Sequence, residues 1–228
     1  MKTRILSAAL LATGLFVSSA AFAQLNLQQF GIGGGNSSGN GGGNAGAAAS
    51  SGGISQLLQN YVGANQQVLN GQSSLASAMG LSSAASQAQQ ASGLLSGGTP
   101  SVSQLSQAGS TQQSLSQTLT QAFASQSSSG SSAPVDKQAF SNGLASLGQG
   151  VSQYSSLQSS LGSVGQMSPS SLLQSGMNPQ SAQAASYIAQ SAPGQLQSLA
   201  STLSAAVQYA TSHGISVPSI ATSALKGF

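Results

Sequence analysis

The chain has 228 residues, of which four are Lys or Arg, one is acidic, one is His and none is Cys. That inventory excludes paired-carboxylate catalysis, leaves no ligand set for a metal centre, and rules out disulfides. The formal charge of +3 is too thin to hold a phosphate backbone, so no nucleic-acid partner is expected.

Lys2 and Arg4 precede an apolar run over residues 5–17, which is followed by SSAAFA. A basic start, an apolar centre shorter than the roughly 20 residues that span a bilayer, and a small-residue end together describe a secretory signal peptide over residues 1–23. Ala21 and Ala23 flank Phe22 as in an A-x-A cleavage site, which predicts a mature chain starting at Gln24. The expectation is an exported bacterial protein, periplasmic, at the cell surface or extracellular, with no stable transmembrane span after cleavage. Cleavage also removes Lys2 and Arg4, leaving Lys137, Lys226 and Asp136 as the charged side chains, so the basic isoelectric point says nothing of an anionic partner.

Residues 24–53 contain GIGGGNSSGNGGGNAGAAASSGG, a Gly/Ser/Asn-rich segment with too few apolar residues to offset backbone ordering. Its G-x-G starts lack a preceding strand and a following Lys-Ser/Thr, so a flexible tether is expected rather than a phosphate loop. From Ile54 the pattern changes: Ile54, Leu58, Tyr61, Val68, Leu75 and Met79 recur at helical spacing, with Asn65 and Gln72 in the intervening slots, and Gly80 marks the end. A shorter helix is expected over residues 83–95, stopped by Gly97-Gly98. Pro100 and Ser101 open another through Val102, Leu105, Leu115, Leu119 and Phe123, with a break expected at Gly109-Ser110.

Residues 127–133, SSSGSSA, read as a loop, and Pro134 suits the first turn of the next helix. Its seam is Phe140, Leu144, Leu147, Val151, Tyr154 and Leu161, and Gly143 and Gly150, on nearly one face, would admit a close neighbour. Ser168-Pro169 opens a short helix through Leu172 and Leu173; Asn178-Pro179 opens another, which Pro193-Gly194 breaks or kinks before Leu196, Leu199, Leu203, Val207 and Ala210 resume the spacing to Gly214. An extended piece over residues 215–218 and a last short helix near Lys226 complete the chain. The fold class is therefore all-α: an irregular helical bundle of about four longer and several short helices, forming a single domain over residues 54–228.

Chemistry has few carriers. Asp136, His213 and a serine would be needed for a nucleophilic triad, but no G-x-S-x-G elbow accompanies them, and helix capping explains both titratable residues. Neither catalytic residues nor cofactors are expected. Tyr61, Tyr154, Tyr187 and Tyr209 lie on or beside helical seams; core packing accounts for them, and the functional alternative is that they line a ligand cavity. The expected role is non-enzymatic, structural or interaction-based, at the envelope or outside the cell, through self-association or an envelope or extracellular polymer partner. The alternative is a soluble binding module for a small apolar ligand.

Overall fold

The computed structural model describes residues 45–97, 99–129, 135–164 and 178–227, and these residues are helical with no strand among them. Six helices follow in chain order among the described residues: α1 (Ala45–Ala78), α2 (Ser82–Leu94), α3 (Val102–Ser129), α4 (Lys137–Val164), α5 (Pro179–Ser212) and α6 (Ser219–Leu225). The packing is that of an all-α bundle. None of these helices is long and apolar enough to cross a membrane.

The apolar stripe of α1 is the spine of the core, with Ile54, Tyr61, Val68, Leu69, Leu75 and Ala76 all buried. The helix begins upstream of the expected start at Ile54, and Gly52 and Gly53 lie inside it. The run of alanines over residues 47–49 has the highest intrinsic helicity available, so a helix nucleated by the packed turns from Ile54 propagates back through it. Residues 24–44 of the expected tether and the proposed signal peptide lie outside the described residues. At the other end Gly80 takes φ 75°, Leu81 N–H donates to the Ala76 carbonyl at 2.8 Å and Gly80 N–H to that of Ser77 at 3.0 Å. This paired closure satisfies the last carbonyls of α1 and turns the chain into α2. Gly214, at φ 62°, ends α5 in the same way, with Ile215 N–H on the Ala210 carbonyl at 2.8 Å.

Helix starts follow local chemistry. Ser101 and Gln104 cap α3 reciprocally, with Gln104 N–H donating to Ser101 Oγ at 3.3 Å and Ser101 N–H to Gln104 Oε1 at 2.8 Å. Asn178 Oδ1 accepts from Gln180 N–H at 2.9 Å, with Pro179 at the first helical position. α4 starts later than Pro134 would have it: Asp136 is the cap, its Oδ1 accepting from Ala139 N–H at 3.0 Å. The Ser168-Pro169 helix lies outside the described residues.

The break expected at Gly109-Ser110 is absent, and so is an interruption at Pro193-Gly194, where the sequence predicts a break or a kink. α3 runs unbroken through Gly109, and α5 runs unbroken through Pro193. Pro193 and Gly194 sit on the exposed face of α5, while the buried stripe of Ile188, Ala192, Leu196 and Leu199 continues past them. Packing of that stripe outweighs a local penalty of about 3 kcal/mol for an interior proline. Gly109 is buried and faces Gln195 and Tyr187, so it serves close approach rather than termination.

α1 and α4 pack antiparallel at backbone distance. A methyl placed on Gly71 would lie 2.6 Å from the Leu147 amide nitrogen; one on Gly143, 2.9 Å from that of Leu75; and one on Gly150, 3.0 Å from that of Val68. The seam expected for α4, from Phe140 to Leu161, is buried throughout. α3 and α5 instead run parallel, joined at one end by Tyr187 to the Leu105 carbonyl and at the other by Tyr209 to Gln126. α6 lies on α4, where Gly148 admits the Ala221 backbone.

Candidate functional site

Polar residues occupy core slots where α1, α3, α4 and α5 meet. In α1 the buried stripe carries Asn65 and Gln72 in place of aliphatics, and Tyr61 one turn before Asn65. In α3 the series Leu105, Ala108, Gln112, Leu115, Leu119 puts a glutamine in the seam, and in α5 the series Ile188, Ala192, Gln195, Leu199 does the same. The helical period therefore forces these amides inward.

The centre of the cluster is Gln195. Its Oε1 accepts from the Tyr61 hydroxyl at 2.8 Å and from the Tyr154 hydroxyl at 3.0 Å, so one carbonyl oxygen ties α1 and α4 to α5. The two rings meet edge to face, with centroids 5.5 Å apart. Gln72 Nε2 donates to Ser116 Oγ at 2.9 Å and to the Gln112 carbonyl at 3.1 Å, which ties α1 to α3. Asn65 turns its amide nitrogen back to the Tyr61 carbonyl at 2.9 Å.

Burial pushes the Tyr61 phenol up, partly offset by Ser191 and Gln195 beside it. Burial pushes Tyr154 well above the usual phenol range, and the nearby Tyr61 adds to this. Both phenols are therefore neutral donors at any ordinary pH.

Beside this cluster α3 and α5 diverge enough to leave a cleft of about 370 Å³ whose walls are serines, glutamines, Tyr187 and Leu199, with Gly109 and Gly194 where side chains are missing. At its base Gln112 is 2% exposed. Neither its Nε2 nor its Oε1 has a hydrogen-bond partner, and the buried Ser191 Oγ has none either. Asn65 and Gln112 lie close enough to the Tyr154 hydroxyl to favour its ionised form, but in geometry that makes no hydrogen bond with the neutral phenol.

Of the four tyrosines read as core residues, with cavity lining as the alternative, Tyr187 is in the cleft wall, and Tyr61 and Tyr154 are buried behind it, linked through Gln195. Tyr209 is outside the cleft and lies further along the same helix pair, in the wall of a separate shallow depression. It stacks on Phe140 and His213, with centroids 5.3 Å and 4.0 Å away, and its hydroxyl donates to Gln126 at 2.7 Å. His213 follows the last residue of α5, and its Nδ1 lies 2.9 Å from the Tyr209 carbonyl. Lys137 Nζ donates to the Gly214 carbonyl at 3.3 Å. Asp136, Lys137 and His213 thus serve helix ends. Among the described residues no three His, Asp, Glu or Cys side chains come together as a metal site. Ala21, Ala23 and Gln24 lie outside the described residues.

Sequence reasoning named the tyrosines but passed over Gln112, Gln195 and Ser191. The signal was present for the two glutamines, which interrupt an apolar series at helical spacing. Compared with protein families, with curated proteins and with solved structures, the chain matches none.

Proposed function

We propose that this is an exported, non-catalytic protein that works at the cell envelope or outside the cell by holding another molecule. The observation that carries the reading is the investment of buried, neutral hydrogen-bonding groups beside an open cleft: Tyr61, Tyr154, Gln195 and Gln112 converge where aliphatic residues would pack more cheaply. Groups of this kind orient and hold a partner. They do not supply the positioned acid and base that hydrolysis needs, and Asp136 and His213 are engaged at helix ends. The amino-terminal pattern ending at Ala23 supports export, and a surface almost without ionisable groups suits a compartment of changing pH and salt.

Between the two binding readings, the cleft lining favours a hydrogen-bonding ligand over an apolar one, because Leu199 is the one aliphatic side chain longer than alanine in a wall of Ser, Gln and Tyr. The test is cell fractionation of a bacterial host expressing the full chain, with amino-terminal sequencing and native mass spectrometry of the product. The expected product starts at Gln24, lies outside the cytoplasm and carries a non-covalent adduct. A product that retains Met1 in the cytoplasm would overturn the reading.

A further inference from the structure

An unpaired carboxamide at the base of a cleft is costly. Each buried donor or acceptor left unmade costs about 1–3 kcal/mol, and methionine or leucine would fill the Gln112 slot without that cost. Gln112 carries an N–H donor and a C=O acceptor side by side, neither making a hydrogen bond although the Tyr154 phenol is near, and on the facing helix the Ser191 hydroxyl, beside the Tyr61 phenol, makes none either. The matching ligand offers an acceptor and a donor on adjacent atoms. Two neighbouring hydroxyls do this, since one can donate to Oε1 while the other accepts from Nε2.

The rest of the lining narrows the class. Ser106, Ser110, Gln113 and Ser198 can each donate or accept, and no charged side chain lines the cleft. A phosphate, carboxylate or ammonium would lose its hydration there without gaining an ion pair. A helical peptide would need apolar pockets at i, i+4 and i+7, and an extended one a sheet edge, neither of which α3 and α5 provide. The hollow also continues. Two shallower depressions follow along the same helix pair, the first sharing Ser116 and Ser198 with the cleft and the second sharing Thr120 with the first. From Ser106 to Ala124 along α3 this is roughly 27 Å at 1.5 Å per residue, a length that suits a chain of repeating units.

We propose that the α3–α5 groove is a binding site for a neutral saccharide chain, with one pair of adjacent sugar hydroxyls completing the hydrogen bonds of Gln112 and Ser191. This rests on the reading of the protein as a non-catalytic holder and gives that reading its ligand class. Tyr187 supplies the one aromatic ring of the cleft, and Gly194 keeps the mouth open, since a methyl there would meet nothing within 4 Å.

The experiment is calorimetric titration of the full chain without its first 23 residues against a panel of neutral hexasaccharides (gluco-, manno-, galacto-, xylo- and N-acetylglucosamine series), with hexagalacturonate as the anionic comparison. At least one neutral member should bind, with an affinity unchanged in molar NaCl, and Gln112→Met and Ser191→Ala should each weaken it about tenfold or more. Gly194→Leu, which places bulk at an exposed mouth position, should abolish binding while circular dichroism stays that of the parent and melting is no lower. No binding by any neutral member at about 10 mM, preference for hexagalacturonate, or equal binding by Gln112→Met would each overturn the saccharide site. An exported product with no saccharide affinity would overturn this inference and leave the holder reading standing, whereas shortening of a hexasaccharide by the protein would overturn the holder reading itself.

Discussion

Along the α1–α4 seam, Gly71, Gly143 and Gly150 bring the helices so close that Leu147, Leu75 and Val68 lie on backbone, while along α3–α5 Gly109 faces only the ends of Gln195 and Tyr187 and Gly194 faces open space. The residue type is the same and the outcome opposite. What a glycine does in a helix pair depends on what faces it. Branched aliphatics and the backbone behind them close onto it and exclude water, which gives stability; at Gly109 the flexible ends of an amide and a phenol fill the space instead of backbone, beside a polar hollow. The first region is therefore the framework of the molecule, and the second is where we propose that it holds its ligand.

The hardest test of that contrast is to add one methyl to each side. Gly71→Ala and Gly150→Ala should each destabilise the protein by up to about 2 kcal/mol, because an overpacking cost of about 1–3 kcal/mol exceeds the gain in helix propensity of about 1 kcal/mol. Gly194→Ala should be neutral or stabilising by up to about 1 kcal/mol. Urea midpoints of the three variants decide it, and a more stable Gly150→Ala would mean that the α1–α4 seam is not closed.

The polar cluster can be separated from the seam by alkaline titration. Both Tyr61 and Tyr154 have phenols raised above the ordinary value of 10.0 by burial. In this direction the folded state keeps protons that the unfolded state releases, so the stabilisation is complete below about pH 10 and is lost as pH rises from there towards the folded values. The unfolding free energy should fall by up to about 1.4 kcal/mol per pH unit for each tyrosine. Burial raises the Tyr209 phenol as well, so Tyr154→Phe should lower that slope without abolishing it; an unchanged slope would place the titration outside the cluster.

A smaller effect distinguishes the two buried glutamines. Gln72→Met removes one unpartnered oxygen but breaks the bond to Ser116 and should cost up to about 1 kcal/mol, whereas Gln112→Met removes two unpartnered atoms and breaks no bond, and should be neutral or stabilising by up to about 1 kcal/mol. Thermal denaturation of both variants reads the difference. Equal destabilisation would mean that Gln112 is satisfied within the fold.

The smallest expected effect is on both regions at once. With one acidic side chain and one His in the whole chain, stability between about pH 3 and pH 9 and up to molar NaCl should vary by no more than about 2 kcal/mol. Chemical denaturation across that range checks it. Acid unfolding near pH 4 would show that something other than side-chain charge, such as a bound partner, holds the structure.

The sequence by itself determined the helices and most of their ends. Apolar period, Gly80 and Gly214 with their left-handed turns, and the caps Ser101 and Asn178 are local matters, decided within a few residues by sterics and by hydrogen bonds to neighbouring backbone. It also determined the near absence of titrating groups, hence the response to pH and salt. Only the tertiary structure decided that Pro193 and Gly109 would not interrupt their helices, because burial of the flanking stripes outweighs a local penalty of a few kcal/mol. It alone decided that Tyr61 and Tyr154 share one oxygen of Gln195, from helices far apart in the chain, and that Tyr209 does not join them. Gln112 shows the boundary best: its slot in the α3 seam is legible from spacing, but whether a buried amide finds a partner depends on the side chains that three other helices bring to it, and those are set by packing.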